Sequence, residues 1–176
     1  MAYDKTIAKL MLMSDAVWVR HANPWSVWTR LAIFPLWFLA IWSRIWIGWW
    51  ALIPAGLLAV WTWLNPRVFK PYIDDRPWST RAVLGERIFM NRRKVPIPKE
   101  HLRAAHILNG LAGAILGAAV IGFVMVHFWL ALGGWLLAIT LKIWFVDRMV
   151  WLYDIMSKSI PEYRGWSIGP GFRKQI

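Results

Sequence analysis

Apolar residues in this chain come in long blocks, and the segments between the blocks are rich in Lys and Arg. The block from Leu31 to Leu64 carries one charge, Arg44. A single helix over those positions would be roughly 50 Å long against a hydrocarbon core of about 30 Å, so the block predicts two membrane spans rather than one. Asn23 is a good N-cap and Pro24 suits a first helical position, which starts the first span at 25–42. The second span, 45–64, ends at Asn65-Pro66, with a turn near Ser43-Arg44 between them. The first segment is short, and a re-entrant loop competes with a full crossing. Two further apolar blocks give spans over 107–128 and 132–150, turning near Leu130 to Gly134.

Polar positions define the rest. Over residues 3–21, Ile7, Leu10, Met11, Val17 and Trp18 recur at i, i+3, i+4 spacing, which predicts an amphipathic helix lying on the membrane surface. Residues 65–106 form a basic loop, in which Ser79 can cap a short helix through about Asn91, with Trp78 and Val83 as a hydrophobic staple. A tail, 151–176, is kept irregular by Pro161, Gly165, Gly169, Pro170 and Gly171. The expected fold is all-α: a single polytopic membrane domain of four transmembrane helices as two hairpins, plus the interfacial helix and the basic cytoplasmic loop.

Charge orients this arrangement. Of the 21 Lys and Arg residues, all but Arg44 and Lys142 can lie on one side, together with all nine acids. Short loops rich in Lys and Arg stay cytoplasmic, so both termini and the 65–106 segment belong there. Composition agrees with a membrane class, at 59% hydrophobic residues and 16 Trp in 176 residues. Trp42, Trp46, Trp49, Trp50, Trp129 and Trp135 fall near the outer turns, and Trp25, Trp28, Trp61, Trp63, Trp144 and Trp151 near the inner ends, giving two interfacial belts. The formal charge of +12 suits anionic lipid, and no nucleic-acid-binding motif accompanies it, so nucleic acid is not expected as a partner. Cysteine is absent, which excludes disulfides and thiolate metal sites. The N-terminal apolar run, Leu10 to Met13, is too short for a cleavable signal.

Candidate chemistry is sparse. Gly110, Gly113, Ala114 and Gly117 form a small-residue stripe on the third span, suited to packing within the chain or against a partner. Lys142 is the one formal charge well inside a span, close enough to its cytoplasmic end to snorkel or pair. His101 and His106 are five residues apart, which points their side chains about 140° apart on a helix and argues against a shared metal; a mixed site with His21 is the remaining metal option. Glu86, flanked by Arg81, Arg87, Arg92 and Arg93, suits ion pairing that holds the loop helix down; the alternative is an anion or phospholipid headgroup site built from those arginines. No nucleophile elbow, phosphate loop or dinucleotide fingerprint occurs.

Several strings nevertheless stand out: His21-Ala22-Asn23-Pro24-Trp25-Ser26-Val27-Trp28-Thr29-Arg30, Leu64-Asn65-Pro66-Arg67, Ala82-Val83-Leu84-Gly85-Glu86-Arg87, Asn91-Arg92, Val95-Pro96-Ile97-Pro98 and Trp144-Phe145-Val146-Asp147-Arg148-Met149-Val150-Trp151-Leu152-Tyr153. In these the chain resembles a family of small bacterial and archaeal membrane proteins without assigned function. The resemblance implies a bacterial or archaeal inner-membrane location and brings no activity with it. All the strings lie on the cytoplasmic side, which makes His21, Trp25, Arg30, Arg67, Glu86, Arg87, Arg92, Asp147 and Arg148 the candidate lipid or partner contacts. The leading expectation is a non-catalytic accessory subunit packed against a larger membrane complex, photosynthetic or respiratory, with membrane lipids and other membrane subunits as partners. No cofactor or metal is expected, while a bound lipid or pigment fits. The alternative is a small enzyme acting on lipid or isoprenoid substrates, with His21, Glu86, Arg87, His101 and Asp147 converging on one pocket. A transporter or channel is a weaker expectation, because only Lys142, Thr140, Asn109 and Thr62 could line a polar path.

Overall fold

A computed structural model describes residues 14–165, and every regular element within them is helical. Three stretches are long and apolar enough to cross a membrane: Pro24–Val68, Lys99–Val124 and Phe128–Ser159. The first folds back on itself, because Ser26 Oγ donates to Asn65 Oδ1 at 2.7 Å. Residues 3–13 of the expected interfacial helix lie outside the described residues; its last part is helix α1, Asp15–His21, capped by Ser14.

The first hairpin is built from short pieces. Helix α2, Pro24–Ala32, starts on Asn23, whose side chain accepts from the Trp25 amide, as the Asn-Pro pair predicts. Helix α3, Phe34–Trp42, follows after Ile33, with Pro35 in its first turn. The turn is more elaborate than two residues: α4, Arg44–Ile47, then a 3-10 segment, Gly48–Ala51. Gly48 has φ 55°, a conformation that glycine adopts without a Cβ penalty. Helix α5, Leu52–Val68, carries the chain back, running past Asn65-Pro66 with Pro66 inside its last turn. The expected stop at Asn65 is therefore corrected. Near a helix end, a proline removes few backbone bonds, and here the Asn65 side chain is tied to α2.

The second hairpin is continuous. Helix α7, Lys99–Val124, has 26 residues and α8, Phe128–Ser159, has 32. They span roughly 39 and 48 Å, so both outrun a hydrocarbon core. Their turn lies at Met125 to His127, earlier than the expected Leu130 to Gly134, because His127 caps α8 by accepting from the Leu130 amide at 3.2 Å. Backbones meet at two glycines near this turn. A Cβ on Gly122 would overlap Ala131, and one on Gly134 would stand 3.0 Å from Ala119. The small-residue stripe takes no part in this packing: Gly110, Gly113, Ala114 and Gly117 are exposed, and among the described residues a Cβ on any of the three glycines meets nothing within 4 Å. Packing within the chain, one of the two roles expected for it, is not seen among the described residues.

The expected tail is also corrected, since α8 continues to Ser159 and Pro161 opens a short helix, α9, Pro161–Gly165. Pro161 falls where a new helix starts, a position that needs no amide donor. Helix α6, Trp78–Asn91, begins one residue ahead of Ser79, which is buried inside the helix rather than capping it. It lies on the C-terminal half of α8 so closely that a Cβ on Gly85 would overlap the Met149 carbonyl. The main core forms there, from Leu84, Ile88 and Phe89 against Phe145, Met149 and Leu152. At the end that carries both hairpin turns a second cluster joins the hairpins, with Phe38 and Trp42 stacked 5.9 Å apart beside Phe123, Phe128 and Trp135. Trp42, expected at the interface, is buried in that cluster, whereas Trp46, Trp49, Trp50 and Trp129 are exposed. Arg44 donates to the carbonyls of Phe123 and Val124, so the cation in the first turn caps the C-terminus of α7, where helix carbonyls lack partners.

Candidate functional site

Three elements meet at the open end of the first hairpin, opposite its turn, and each brings a buried polar side chain. From α1 comes His21, from α2 Ser26, with the half-buried Thr29 beside it, and from α5 Asn65. Hydrogen-bond bookkeeping fixes every proton. Thr29 Oγ1 donates to the Trp25 carbonyl at 2.6 Å, so it accepts from Asn65 Nδ2 at 2.8 Å. That orients the amide and leaves Asn65 Oδ1 to accept from Ser26 Oγ at 2.7 Å. With its only proton spent, Ser26 accepts from His21 Nδ1 at 3.1 Å. His21 Nε2 is then a bare lone pair, filled by Arg30 Nη1 at 2.9 Å. Burial, and secondly the Arg30 charge, hold the His21 imidazole well below its ordinary range, so the ring is neutral.

This chain of bonds locks α1, α2 and α5 together, and neighbouring contacts extend it. Thr80 on α6 donates to the Ala22 carbonyl at 2.8 Å, Arg20 to the Arg67 carbonyl at 3.1 Å, and Asn23 to the Lys70 carbonyl at 3.1 Å. Two of the strings noted in the sequence, His21 to Arg30 and Leu64 to Arg67, supply both halves of the network. Ser26, Thr29 and Asn65 were missed as partners because a single polar residue inside an apolar block carries no indication of what faces it.

A second group of charges lies along α6 and α8. Glu86 stands 3.6 Å from Lys142 and is close enough to attract the Arg30 guanidinium; the Lys142 ammonium also sits over the Phe145 ring at 4.4 Å. The lysine inside the apolar block is thus paired. Asp147 accepts from Trp78 Nε1 at 2.9 Å, Arg81 pairs with Asp154 at 3.0 Å, and Arg87 with Asp15. Tyr153 donates to Asp75 at 2.8 Å.

The remaining candidates are dispersed. Arg67 covers Trp63 and Arg92 covers Phe89, each at 4.0 Å, and Arg148 lies over Trp151 at 5.6 Å. Trp25 is exposed and Trp28 stacks on Trp78 at 5.9 Å. His106 edges onto Phe89, whereas His101 lines a separate groove with Arg148 and Trp151. His21 and Glu86 share Arg30 as a neighbour, whereas Arg87 pairs with Asp15, Asp147 accepts from Trp78 and His101 lines the separate groove, so the five do not converge on one pocket. Arg81, Arg87 and Arg92 likewise point to Asp154, Asp15 and Phe89 rather than to one anion site. Among the described residues, no three His, Asp or Glu side chains gather as a metal site.

The geometry can do limited chemistry. Both hydroxyls of the network are spent in bonds, and the lone pair of its imidazole faces a guanidinium, so the cluster offers neither an activated nucleophile nor a free base. What it does is hold three helices in one register. Neither a curated protein nor a solved structure matches the chain. A family model does, over residues 2–167, and the chain belongs to the family of unknown function DUF6653.

Proposed function

We propose that this chain is a non-catalytic integral membrane subunit of four spans, with both termini cytoplasmic, that docks on a larger membrane assembly through the outward face of α7. The observation that carries the reading is the contrast between two sets of glycines. Gly85, Gly122 and Gly134 are consumed by close backbone contacts inside the chain, whereas Gly110, Gly113 and Gly117 face outward with open space where a Cβ would be. Such a stripe lets a second helix approach to backbone distance, which is the main source of specific association where lipid tails are as apolar as leucine. Large exposed apolar side chains surround it, including Leu111, Leu116 and Val120. The dispersal of the charged candidates supports a scaffold over an enzyme.

Extraction in mild detergent and identification of co-migrating subunits tests the docking. Gly113→Leu with Gly117→Leu should leave the fold of the chain intact and lower co-purification of its partner about tenfold or more, the loss expected when close helix packing is blocked. Recovery of free monomer alone from native membranes would falsify the reading. The absence of cysteine gives a clean topology test. Single cysteines at Trp46 and Trp129 should react with an impermeant maleimide from outside, and those at Asp74 and Lys94 only after permeabilisation.

A further inference from the structure

On the flank of the second hairpin, at its inner end, the first turns of α7 and the inner part of α8 leave a groove of about 350 Å³. Glu100, His101 and Ala104 line one wall, and Arg148, Trp151 and Ile155 the other. We infer that this groove is a headgroup site for a phospholipid carrying a phosphate and a primary ammonium, an inference that rests on the membrane-subunit reading.

His101 is the first reason. Only 7% of the residue is exposed, and among the described residues its ring makes no hydrogen bond. Its ring nitrogens are not fully enclosed, and they are left available to a donor or acceptor in the groove that the residue lines. Charge is the second. Arg148 and Glu100 border the same groove, and among the described residues neither forms an ion pair, with the other or with anything else. Arg148 is held over the Trp151 ring, which orients the guanidinium without neutralising it. A free inorganic phosphate would satisfy Arg148 and be repelled by Glu100, and a simple amine would meet the reverse. A zwitterionic headgroup answers both, its phosphate on Arg148 and His101 and its ammonium on Glu100. A quaternary ammonium has no N–H to give the carboxylate, which favours the primary amine.

The third reason is what lies beneath. Positions 100, 104, 107 and 111 follow one face of α7, and 155, 151, 148 and 144 one face of α8. Below the charged rim those faces present Ile107, Leu111 and Trp144, 60, 49 and 52% exposed, a continuous apolar surface for acyl chains. A polar pocket opening downward onto bare hydrocarbon-facing side chains has the layout of a lipid rather than of a soluble metabolite.

The test is lipid retention by the full chain, measured by native mass spectrometry from nanodiscs holding equal amounts of phosphatidylethanolamine, phosphatidylcholine and phosphatidylglycerol. Phosphatidylethanolamine should be retained about tenfold over the other two. Arg148→Gln should lower that retention about tenfold, the loss of one charge-assisted contact. Glu100→Gln should instead remove the preference, raising phosphatidylglycerol to parity. Both side chains are at the surface, and unchanged helicity and elution volume establish that the variants fold. Equal retention of the three lipids, or a ranking that neither variant alters, overturns the site. Displacement by glycerophosphoethanolamine at concentrations comparable to the lipid also overturns it, by assigning the groove to a soluble phosphate ester. Alkaline carbonate extraction separates this outcome from the wider reading. Release of the chain from membranes defeats the membrane-subunit proposal, whereas a retained chain with no lipid preference defeats only the headgroup site.

Discussion

The two hairpins solve the same problem by different means. In the second, α7 and α8 are uninterrupted, and their backbones close on each other at Gly122 and Gly134. In the first, no helix exceeds the 17 residues of α5, and the limbs are joined by side-chain hydrogen bonds from Ser26, Thr29 and Asn65. One hairpin is held by shape and the other by polar bonds. The difference lies in how the glycines are used: the second has them where the helices cross, whereas among the described residues a Cβ on Gly48 or Gly56 of the first would meet nothing within 4 Å. Where close approach is unavailable, a satisfied polar network fixes register, because each member would be costly to leave unpaired.

Changes of one atom or one proton should therefore act differently on the two halves. The largest effect is expected from Gly122→Ala, which places a methyl group on the Ala131 backbone and should cost about 3 kcal/mol in unfolding from mixed micelles by forcing α7 and α8 apart. A stability equal to the parent would remove the claim that backbone contact holds this hairpin. Asn65→Leu attacks the other half, stranding the Ser26 hydroxyl and the Thr29 acceptor, and should cost about 2 kcal/mol. Its signature is local: faster amide exchange in α1 and α2 with α7 and α8 unaffected. Exchange that rises equally throughout would mean that the hairpins are not held separately.

Acid should also find the first hairpin. His21 is neutral in the fold with its proton affinity lowered, whereas in the unfolded chain it titrates at its ordinary value near 6.5. Below that value the unfolded state binds the extra proton, so stability falls with falling pH, by up to about 1.4 kcal/mol per unit, until the folded ring also protonates. Above about pH 7 this contribution is flat. The difference between parent and His21→Gln, followed by thermal unfolding from pH 7.5 to 5, isolates it, and parallel curves would refute a buried neutral ring. The smallest effect is expected at the second turn. Val126 has φ 55°, strained for a β-branched residue, and Val126→Gly should raise stability by up to about 1 kcal/mol. A loss there would show that the Val126 side chain contributes more than its backbone costs.

Legibility in the sequence followed the range of the interactions. The Asn23-Pro24 start of α2 was readable because a cap is decided within a few residues. The doubling back of the Leu31–Leu64 block was readable because a single helix would outrun a bilayer. The end of α7 was misplaced because the signal there, His127 capping Leu130, is an unusual cap and apolar residues continue on both sides of it. Trp42 was assigned to an interface by its position next to a turn, and only the arrival of Phe123, Phe128 and Trp135 from the other hairpin buries it. Arg44 was similarly an isolated outer charge until the C-terminus of α7 came within reach.

The sequence by itself determined the all-helical class, the long apolar stretches, the caps that start α2 and the crowding of charge into a few segments. These depend on hydrophobicity, helical period and near-neighbour chemistry, which are summed along the chain. Tertiary structure alone decided which glycines are spent in contact and which stay open, and which partner each buried polar group finds. Gly113 and Gly122 are chemically identical and sit on the same helix. They lie nine residues apart, on opposite faces of α7, and only the side on which α8 packs makes the second a structural necessity and leaves the first facing outward.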